Sequence, residues 1–407
     1  MSRFTEHFRM SESDVIEYVR EKMPDFFGDE ELTCHEIGDG NINFVFRVKG
    51  VETGKSLIVK HADHAARLTG QEVSLDRNRI ETNILLLEGK LAPGTVPVVY
   101  YHDLVMSCVI MEDVGDHENM RYAMMRHETF PTFADDITTF MAKTLINTSD
   151  NIIDPKEKKR LVQEYTNPDL CEITEQLVYT YPYFEDGMGN SVFGPVHDFI
   201  EKELFQDKEM HLEVAKLKEE FKSYAQCLLH GDLHSGSIFV KQGSTKVLDP
   251  EFAFYGPAGY DVGNVVAHLI FAWVNAEYTE KDPAKKERFQ KWAEEAMVDT
   301  IDLFREKALA EFKANVTDRM AKTEGFAEWY VDGILVNTAA TVGIELIRRI
   351  VGVAKVKDLT TIEDQEGRAK AEKICVTIAK DCVKHRTEYG KGMCYVAALK
   401  KAYEALK

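Results

Sequence analysis

The pattern of apolar and polar residues predicts a helix near the start of the chain and an antiparallel hairpin after it. Between Ser11 and Pro24, apolar residues recur at the spacing of one helix face, and Asp14 stands where the capping-box partner of Ser11 would be. Residues 45–48 and 57–60 are apolar-rich and are separated by a break that contains glycine. This arrangement is typical of two antiparallel strands joined by a turn.

Further along, the pattern changes from strands to helices. Residues 80–87 predict a helix that ends at Gly89, and two β-rich segments follow at residues 96–101 and 104–111. Helical spacing then dominates to the C-terminus, with only short apolar runs between the helices. The order predicts an α+β fold with a small mixed β lobe at residues 1–112 and a large, mainly helical lobe at residues 113–407.

Composition limits the partners of this chain. Its 407 residues exceed one ordinary core, and a hydrophobic content of 44% with 29% charged residues is typical of a globular protein. The formal net charge of −19 argues against a nucleic-acid or anionic-membrane surface. The seven cysteines are scattered, which is typical of reduced thiols. The N-terminus does not resemble a signal peptide, and the apolar runs are too short to span a bilayer. These features predict a cytoplasmic protein that is not in the membrane.

The strongest candidate for chemistry is the polar segment HGDLHSGS at residues 230–237, which lies between two short apolar runs. Transfer of a phosphoryl group to an alcohol requires a carboxylate that hydrogen-bonds the attacking hydroxyl and accepts its proton. Asp232 has the right position for that role. Taken alone, the segment fits better a turn aspartate beside a buried core histidine, His230, because short motifs often match by chance.

A second segment, KVLDPEF at residues 246–252, favours the catalytic interpretation. Asp249 and Glu251 stand two positions apart, so in an extended backbone both side chains face the same side and can bind one ion. Mg²⁺ prefers oxygen ligands and often combines one or two carboxylates with substrate phosphates. Two turn carboxylates that cap the next helix are the alternative for either residue alone, but the order of the two motifs favours a metal site.

The N-terminal lobe carries candidates for a phosphate clamp. The segment IGDGNIN at residues 37–43 has glycines that let backbone amides approach phosphate oxygens, and Asn43 could add a side-chain hydrogen bond. A plain β-turn is the alternative. Lys60 ends a predicted strand where a phosphate-pairing lysine is expected, and Glu81 on the next helix is its candidate partner. Two further glutamates flank the same region: Glu72 and Glu88.

As a set, these motifs closely resemble those of the 5-methylthioribose kinases, a branch of the aminoglycoside-phosphotransferase and choline-kinase-like superfamily. The matching segments are residues 37–43, 166–171, 230–237, 249–257, 260–263 and 345–349. The DPE run at 249–251 and Ser237 are the specific marks. Most members of the superfamily carry an asparagine in place of Ser237 and a single metal aspartate, and Glu251 is the candidate to replace the lost amide ligand.

The resemblance implies a protein-kinase-like two-lobed fold and Mg²⁺–ATP-dependent phosphorylation of the 1-hydroxyl of 5-methylthioribose, in methionine salvage, by a homodimer. The implied nucleotide contacts are Asn43, Lys60, Glu112, Asp113, Val114, Asp249, Pro250 and Glu251. The implied substrate contacts are Asp232, Arg348 and Arg349, and the implied metal ligands are Asp249 and Glu251. On residue patterns alone, the arginine pair is only the charged edge of a helix, where adjacent residues lie about 100° apart.

Two alternatives remain open from the residues. One is a kinase for another small alcohol, such as choline, homoserine or an aminoglycoside. The other is a non-catalytic nucleotide-binding module, which the joint presence of Lys60, Asp232, Asp249 and Glu251 disfavours. The segment at residues 70–75 also lacks the tryptophan that the resemblance leads us to expect after the lysine strand.

Overall fold

The computed structural model of this protein describes residues 2–37, 43–64 and 74–406. The predicted glycine-containing loop at 38–42 and most of the segment at 70–75 therefore lie outside the described residues. Contacts divide the chain into two compact units, and the first contains the residues up to Asp116 together with Lys246–Phe252. The second unit comprises His117–Thr245 and Ala253–Lys407. The lobe boundary after residue 112 stays a prediction.

The first unit is built on a five-stranded antiparallel sheet with the order β1-β2-β3-β5-β4. Its elements are α1 (Glu12–Lys22), α2 (Pro24–Phe27), β1 (Leu32–Glu36), β2 (Phe44–Gly50), β3 (Ser56–His61), α3 (Asp76–Leu91), β4 (Val99–Asp103) and β5 (Cys108–Glu112). The predicted capping box of Ser11 and Asp14 and the β2–β3 hairpin are both confirmed. One face of the sheet packs with α1 in a common core that includes Tyr18, Leu57 and Ile110.

Two local predictions in this unit were wrong. Gly89 does not end α3, which continues to Leu91. The backbone of Gly89 is not in the left-handed conformation that ends a helix, so this glycine is an ordinary helical residue. Residues 104–107 form a turn rather than the start of a strand. Asp103 accepts hydrogen bonds from the backbone N–H groups of Val105 and Met106, and such local bonds compete with strand pairing.

The second unit is mainly helical. Its first elements are β6 (Glu118–Asn119), α4 (Met120–Met125), α5 (Phe133–Asn147), α6 (Pro155–Glu164), α7 (Pro168–Leu177), α8 (His197–Ile200) and α9 (Lys208–Ser223). Four short strands follow along the chain: β7 (Cys227–Leu228), β8 (Ile238–Lys241), β9 (Ser244–Val247), whose last two residues belong to the first unit, and β10 (Tyr255–Gly256). The last helices are α10 (Gly259–Thr279), α11 (Pro283–Asn315), α12 (Phe326–Ile350), α13 (Lys357–Thr360), α14 (Gln365–Lys384) and α15 (Gly392–Leu406).

Helix α12 packs against both α10 and α14 at the centre of this unit. Among the described residues, α12 is long and apolar enough to cross a membrane, but 78% of its most apolar window is buried inside the protein. Core helices pass the same composition test. The α+β fold class predicted from the sequence is confirmed.

Candidate active site

Lys60 is the centre of a buried charge cluster in the first unit. It lies on β3, is only 4% exposed, and its Nζ lies 2.6 Å from Oε1 of Glu81 on α3. The same ammonium lies 2.7 Å from Oδ1 of Asp249. The predicted pairing of Lys60 with Glu81 is therefore confirmed, and the structure adds Asp249 as a second partner.

Among its described residues, this cluster holds more carboxylates than cations. Burial alone would lower the pKa of the Lys60 ammonium, but the charges of Asp249, Glu81 and Glu251 outweigh it and raise that pKa. Burial raises the pKa of Glu81, and the neighbouring carboxylates add to the effect. Burial and the charge of Asp249 likewise raise the pKa of Glu251. Carboxylates that resist ionisation in this way would be stabilised by an additional cation.

Asp249 and Glu251 approach the same cluster, although the predicted backbone geometry was wrong. Asp249 has a φ of 64°, in the left-handed region, and Pro250–Phe252 forms a 3₁₀ turn. Aspartate tolerates this conformation because its short side chain bonds locally. The turn replaces the extended backbone that would have aligned the two side chains. The Asp249 side chain is 46% exposed.

Asn43 and Arg77 complete the described part of the cluster. The Asn43 amide nitrogen donates to Oε2 of Glu251 at 3.0 Å, and its oxygen accepts from Nε of Arg77 at 3.2 Å. Arg77 was not singled out from the sequence. It lies in the first turn of α3, and only tertiary packing buries it among carboxylates, so the sequence carries no signal for its role.

Glu112, Asp113 and Val114 lie at the end of β5 in the first unit. Both side-chain oxygens of Glu112 accept from Nζ of Lys246, at 2.7 and 2.8 Å. Asp113 accepts two bonds from Arg47, at 2.7 and 3.0 Å. Because these carboxylates are engaged within the protein, the backbone is what this segment can offer to a ligand.

In the second unit, Asp232 is surrounded by donors. Its Oδ2 lies 3.2 Å from Nε2 of His234, and its Oδ1 lies 3.4 Å from Nη2 of Arg348 and 3.9 Å from Nη2 of Arg349. Asp261, at the start of α10, accepts from the backbone N–H groups of the two residues that precede Asp232, at 2.7 and 3.0 Å. The loop is thereby held against the helix.

These donors keep Asp232 ionised. Burial would raise the pKa of Asp232, but His234 and the guanidinium groups of Arg348 and Arg349 hold that pKa well below its ordinary value. His234 itself has a lowered pKa because it is buried. Its Nδ1 accepts from the backbone N–H of Gly236 at 2.8 Å, so the proton of the neutral ring is on Nε2 and points to Asp232.

The arginine pair is oriented by Glu345, which the sequence interpretation included in a motif but gave no role. Glu345 accepts from Nε of Arg348 and, at 2.7 Å, from Nε of Arg349. All three residues lie on α12 and are almost entirely enclosed. Nη2 of each arginine is thereby left facing Asp232, while Nη1 of Arg349 donates to the carbonyl oxygen of Ala354 at 3.4 Å. This arrangement can bind hydroxyl groups next to an ionised carboxylate.

Comparisons with known proteins agree with a phosphoryl-transfer site. The phosphotransferase enzyme family matches residues 33–297. Methylthioribose kinase of Bacillus pumilus (strain SAFR-032) is 37% identical over 355 residues, which are 87% of this chain and 87% of that protein. Methylthioribose kinase of Yersinia pseudotuberculosis serotype O:3 (strain YPIII) is 35% identical over 392 residues, 95% of this chain and 92% of that protein. Choline kinase from Cryptosporidium parvum Iowa II, a solved structure, is 14% identical, has a TM-score of 0.49 and covers 97% of both chains.

The class of protein is a small-molecule kinase. Sequence identity over nearly the whole length narrows this class. The chain belongs to the methylthioribose kinases, within the phosphotransferase enzyme family.

Proposed function

We propose that this protein transfers the γ-phosphoryl group of ATP to the 1-hydroxyl of 5-methylthioribose, giving 5-methylthioribose 1-phosphate and ADP in methionine salvage. The similarity to methylthioribose kinases supports the choice of substrate. The observation that carries the proposed chemistry is the carboxylate of Asp232, whose Oδ1 lies 3.4 Å from Nη2 of Arg348 and 3.9 Å from Nη2 of Arg349. An ionised carboxylate beside fixed donors suits an uncharged polyol.

The residues that bind the sugar, which is the phosphoryl acceptor, orient its reacting hydroxyl as well as take its proton. Asp232 accepts a hydrogen bond from the reacting hydroxyl and takes its proton. Because its pKa lies well below the ordinary value, Asp232 is a weak base, so the proton moves late, when bonding to phosphorus has made the hydroxyl more acidic. Arg348 and Arg349 donate to neighbouring sugar hydroxyls and hold the ring in place.

The residues that bind ATP, the phosphoryl donor, belong to the first unit. Asn43 and Lys60 bind phosphate oxygens, and the backbone of Glu112, Asp113 and Val114 meets the edge of the adenine.

Mg²⁺ fits the carboxylates of this unit. Glu81, Asp249 and Glu251 oppose only Lys60 and Arg77, which leaves one negative charge in excess among the described residues of the cluster. Asp249 and Glu251 would hold Mg²⁺, which would neutralise charge on the donor phosphates. Pro250 fixes the turn between these two ligands.

A panel of acceptors tests the substrate. Release of ADP is measured for 5-methylthioribose, ribose, choline, homoserine and an aminoglycoside at saturating Mg²⁺–ATP. We expect the highest kcat/KM for 5-methylthioribose and phosphate on carbon 1 of the product by phosphorus NMR. Cationic acceptors should be poor because Arg348 and Arg349 balance the charges of Asp232 and Glu345, so the cluster offers a cation no excess negative charge. Higher efficiency with choline, homoserine or an aminoglycoside would overturn the proposal.

The same proposal includes a homodimer in the cytoplasm. Light scattering after size-exclusion chromatography should give twice the chain mass of 46.4 kDa. A mass equal to that of one chain, at the protein concentrations used in the assay, would remove the dimer from the proposal.

A further inference from the structure

We propose that His268 is a positioning residue that ties the loop of Asp232 to the arginine pair, a role that rests on the proposed function. His268 lies on α10 and is 1% exposed. Its Nδ1 lies 2.8 Å from Oγ of Ser235, and its Nε2 lies 3.1 Å from Oε1 of Glu345. One ring therefore joins α10, the loop and α12.

The direction of each hydrogen bond follows from the chemistry of the two partners. Burial opposes ionisation of Glu345, but Arg348 and Arg349 hold the pKa of this carboxyl well below its ordinary value, so Glu345 can only accept. Nε2 of His268 must therefore carry the proton. Burial also lowers the pKa of His268 to about 3, so the ring is neutral and its bare Nδ1 accepts the hydroxyl proton of Ser235.

At one end, His268 fixes the carboxylate that orients both arginines. Oε1 of Glu345 accepts from His268 and from Nε of Arg349, while its Oε2 accepts from Nε of Arg348. Loss of the histidine donor would leave Oε1 with one partner and allow the carboxylate to rotate. The terminal nitrogens of the arginines would then be less well placed for sugar hydroxyls.

At the other end, His268 holds the loop three residues after Asp232. Ser235 is 1% exposed, and its carbonyl oxygen accepts from the backbone N–H of Arg121 at 3.1 Å. Asp261 holds the beginning of the same loop and lies two turns before His268 on one face of α10. The helix thus fixes the loop on both sides of the catalytic carboxylate.

Because the two ends of the ring have different roles, two substitutions separate them. In His268→Gln, the longer amide can keep a donor near Glu345 but loses the acceptor for Ser235. In His268→Asn, the shorter amide can keep an acceptor near Ser235 but loses the donor to Glu345. We expect the glutamine variant to lower kcat about tenfold with little change in the sugar KM, and the asparagine variant to raise that KM about tenfold with little change in kcat.

Ser235→Ala provides a second and smaller change. It should reproduce the kcat loss of His268→Gln, and combining the two substitutions should cause no further loss, because both remove the same hydrogen bond. The KM for ATP should stay unchanged in every variant, and thermal unfolding midpoints check that each variant is folded.

A merely structural role predicts a different result: both variants of His268 would change kcat and sugar KM together, or Ser235→Ala would add to His268→Gln. Either outcome would overturn the inference. If the acceptor panel instead selects another alcohol, the proposed function fails, and the split between kcat and KM is then measured with that alcohol. The two failures are therefore distinguishable.

Discussion

The two units carry charge clusters of opposite character. Around Lys60, burial and crowding raise the pKa values of carboxyl groups, because the described carboxylates outnumber the cations. Around Asp232, guanidinium groups lower the pKa values of both Asp232 and Glu345 in spite of their burial. The first cluster would gain stability from an added cation. The second is already neutralised by protein groups.

This difference matches the two ligands of a kinase. A nucleotide triphosphate arrives with Mg²⁺, so a cluster that lacks a cation suits the donor side. A sugar arrives without charge, so the acceptor side must supply its own balanced set of donors and acceptors. The contrast leads to predictions in which each cluster responds to a different ligand.

The largest effect should come from the carboxylate of the second cluster. Asp232→Asn keeps an oxygen that can accept a hydrogen bond from the sugar, but it cannot take the proton. We expect turnover to fall by at least roughly 10², measured as ADP release with saturating 5-methylthioribose. ATP affinity, measured by calorimetry, should stay unchanged. Wild-type turnover in this variant would remove Asp232 from the mechanism.

The arginine pair should control the sugar and not the nucleotide. In Arg348, Nε donates to Glu345 while Nη2 points toward Asp232 and the sugar, and the single nitrogen of Arg348→Lys cannot occupy both of these fixed positions. A lost donor costs about 1–3 kcal/mol, so the KM for 5-methylthioribose should rise by up to roughly 10².

Arg305→Lys is the matched control, because Arg305 forms an exposed ion pair with Asp332 in the same unit. That variant should behave as wild type. If Arg348→Lys left the sugar KM unaltered, recognition would have to be reassigned to Arg349 or to other residues.

The metal requirement should distinguish the first cluster from the second. Glu251→Ala removes one of the two proposed ligands, and we expect the Mg²⁺ concentration for half-maximal activity to rise about tenfold. Arg348→Lys should leave that concentration unchanged. Glu31→Ala, which removes an exposed carboxylate of the first unit, is the control. A Mg²⁺ titration of Glu251→Ala that overlays wild type would exclude a shared site with Asp249.

Regular elements and short-range pairs could be predicted from the sequence, and the resemblance named Asp232, Arg348 and Arg349 together, whereas the contacts that His268 and Glu345 make in the second cluster could not be predicted. The hairpin that carries Lys60 follows from strand periodicity, and Glu81 lies on the next helix, so both were accessible. The left-handed backbone of Asp249 has no signal in an apolar–polar pattern. His268 and Glu345 interrupt apolar helices far apart in the chain. Each could have been flagged as a buried polar residue in need of a partner, but only tertiary packing brings them together.

Substitution of a buried histidine should also have different consequences in the two units, for stability in the first and for turnover in the second. His61 ends β3 in the first unit and is fully buried, and burial lowers its pKa from 6.5 to about 4. When the pKa of a group is lower in the folded state than in the unfolded state, the group stabilises the fold at any pH above its unfolded pKa. That contribution is lost as the pH falls toward the pKa of the folded state. Between pH 7.5 and pH 5, the unfolded chain therefore gains a proton at this residue that the folded chain does not, and stability falls by about 2 kcal/mol.

His61→Phe removes this titration and keeps a ring in the core, where His61 stacks on His7 at a centroid distance of 5.3 Å. We expect its thermal unfolding midpoint to drop less than that of wild type between pH 7.5 and pH 5, by a few degrees at most. Turnover and sugar KM at pH 7.5 should be unchanged, in contrast to His268→Gln. An equal drop in both proteins would show that His61 gains its proton without unfolding, and the acid sensitivity of the first unit would then have to come from other groups.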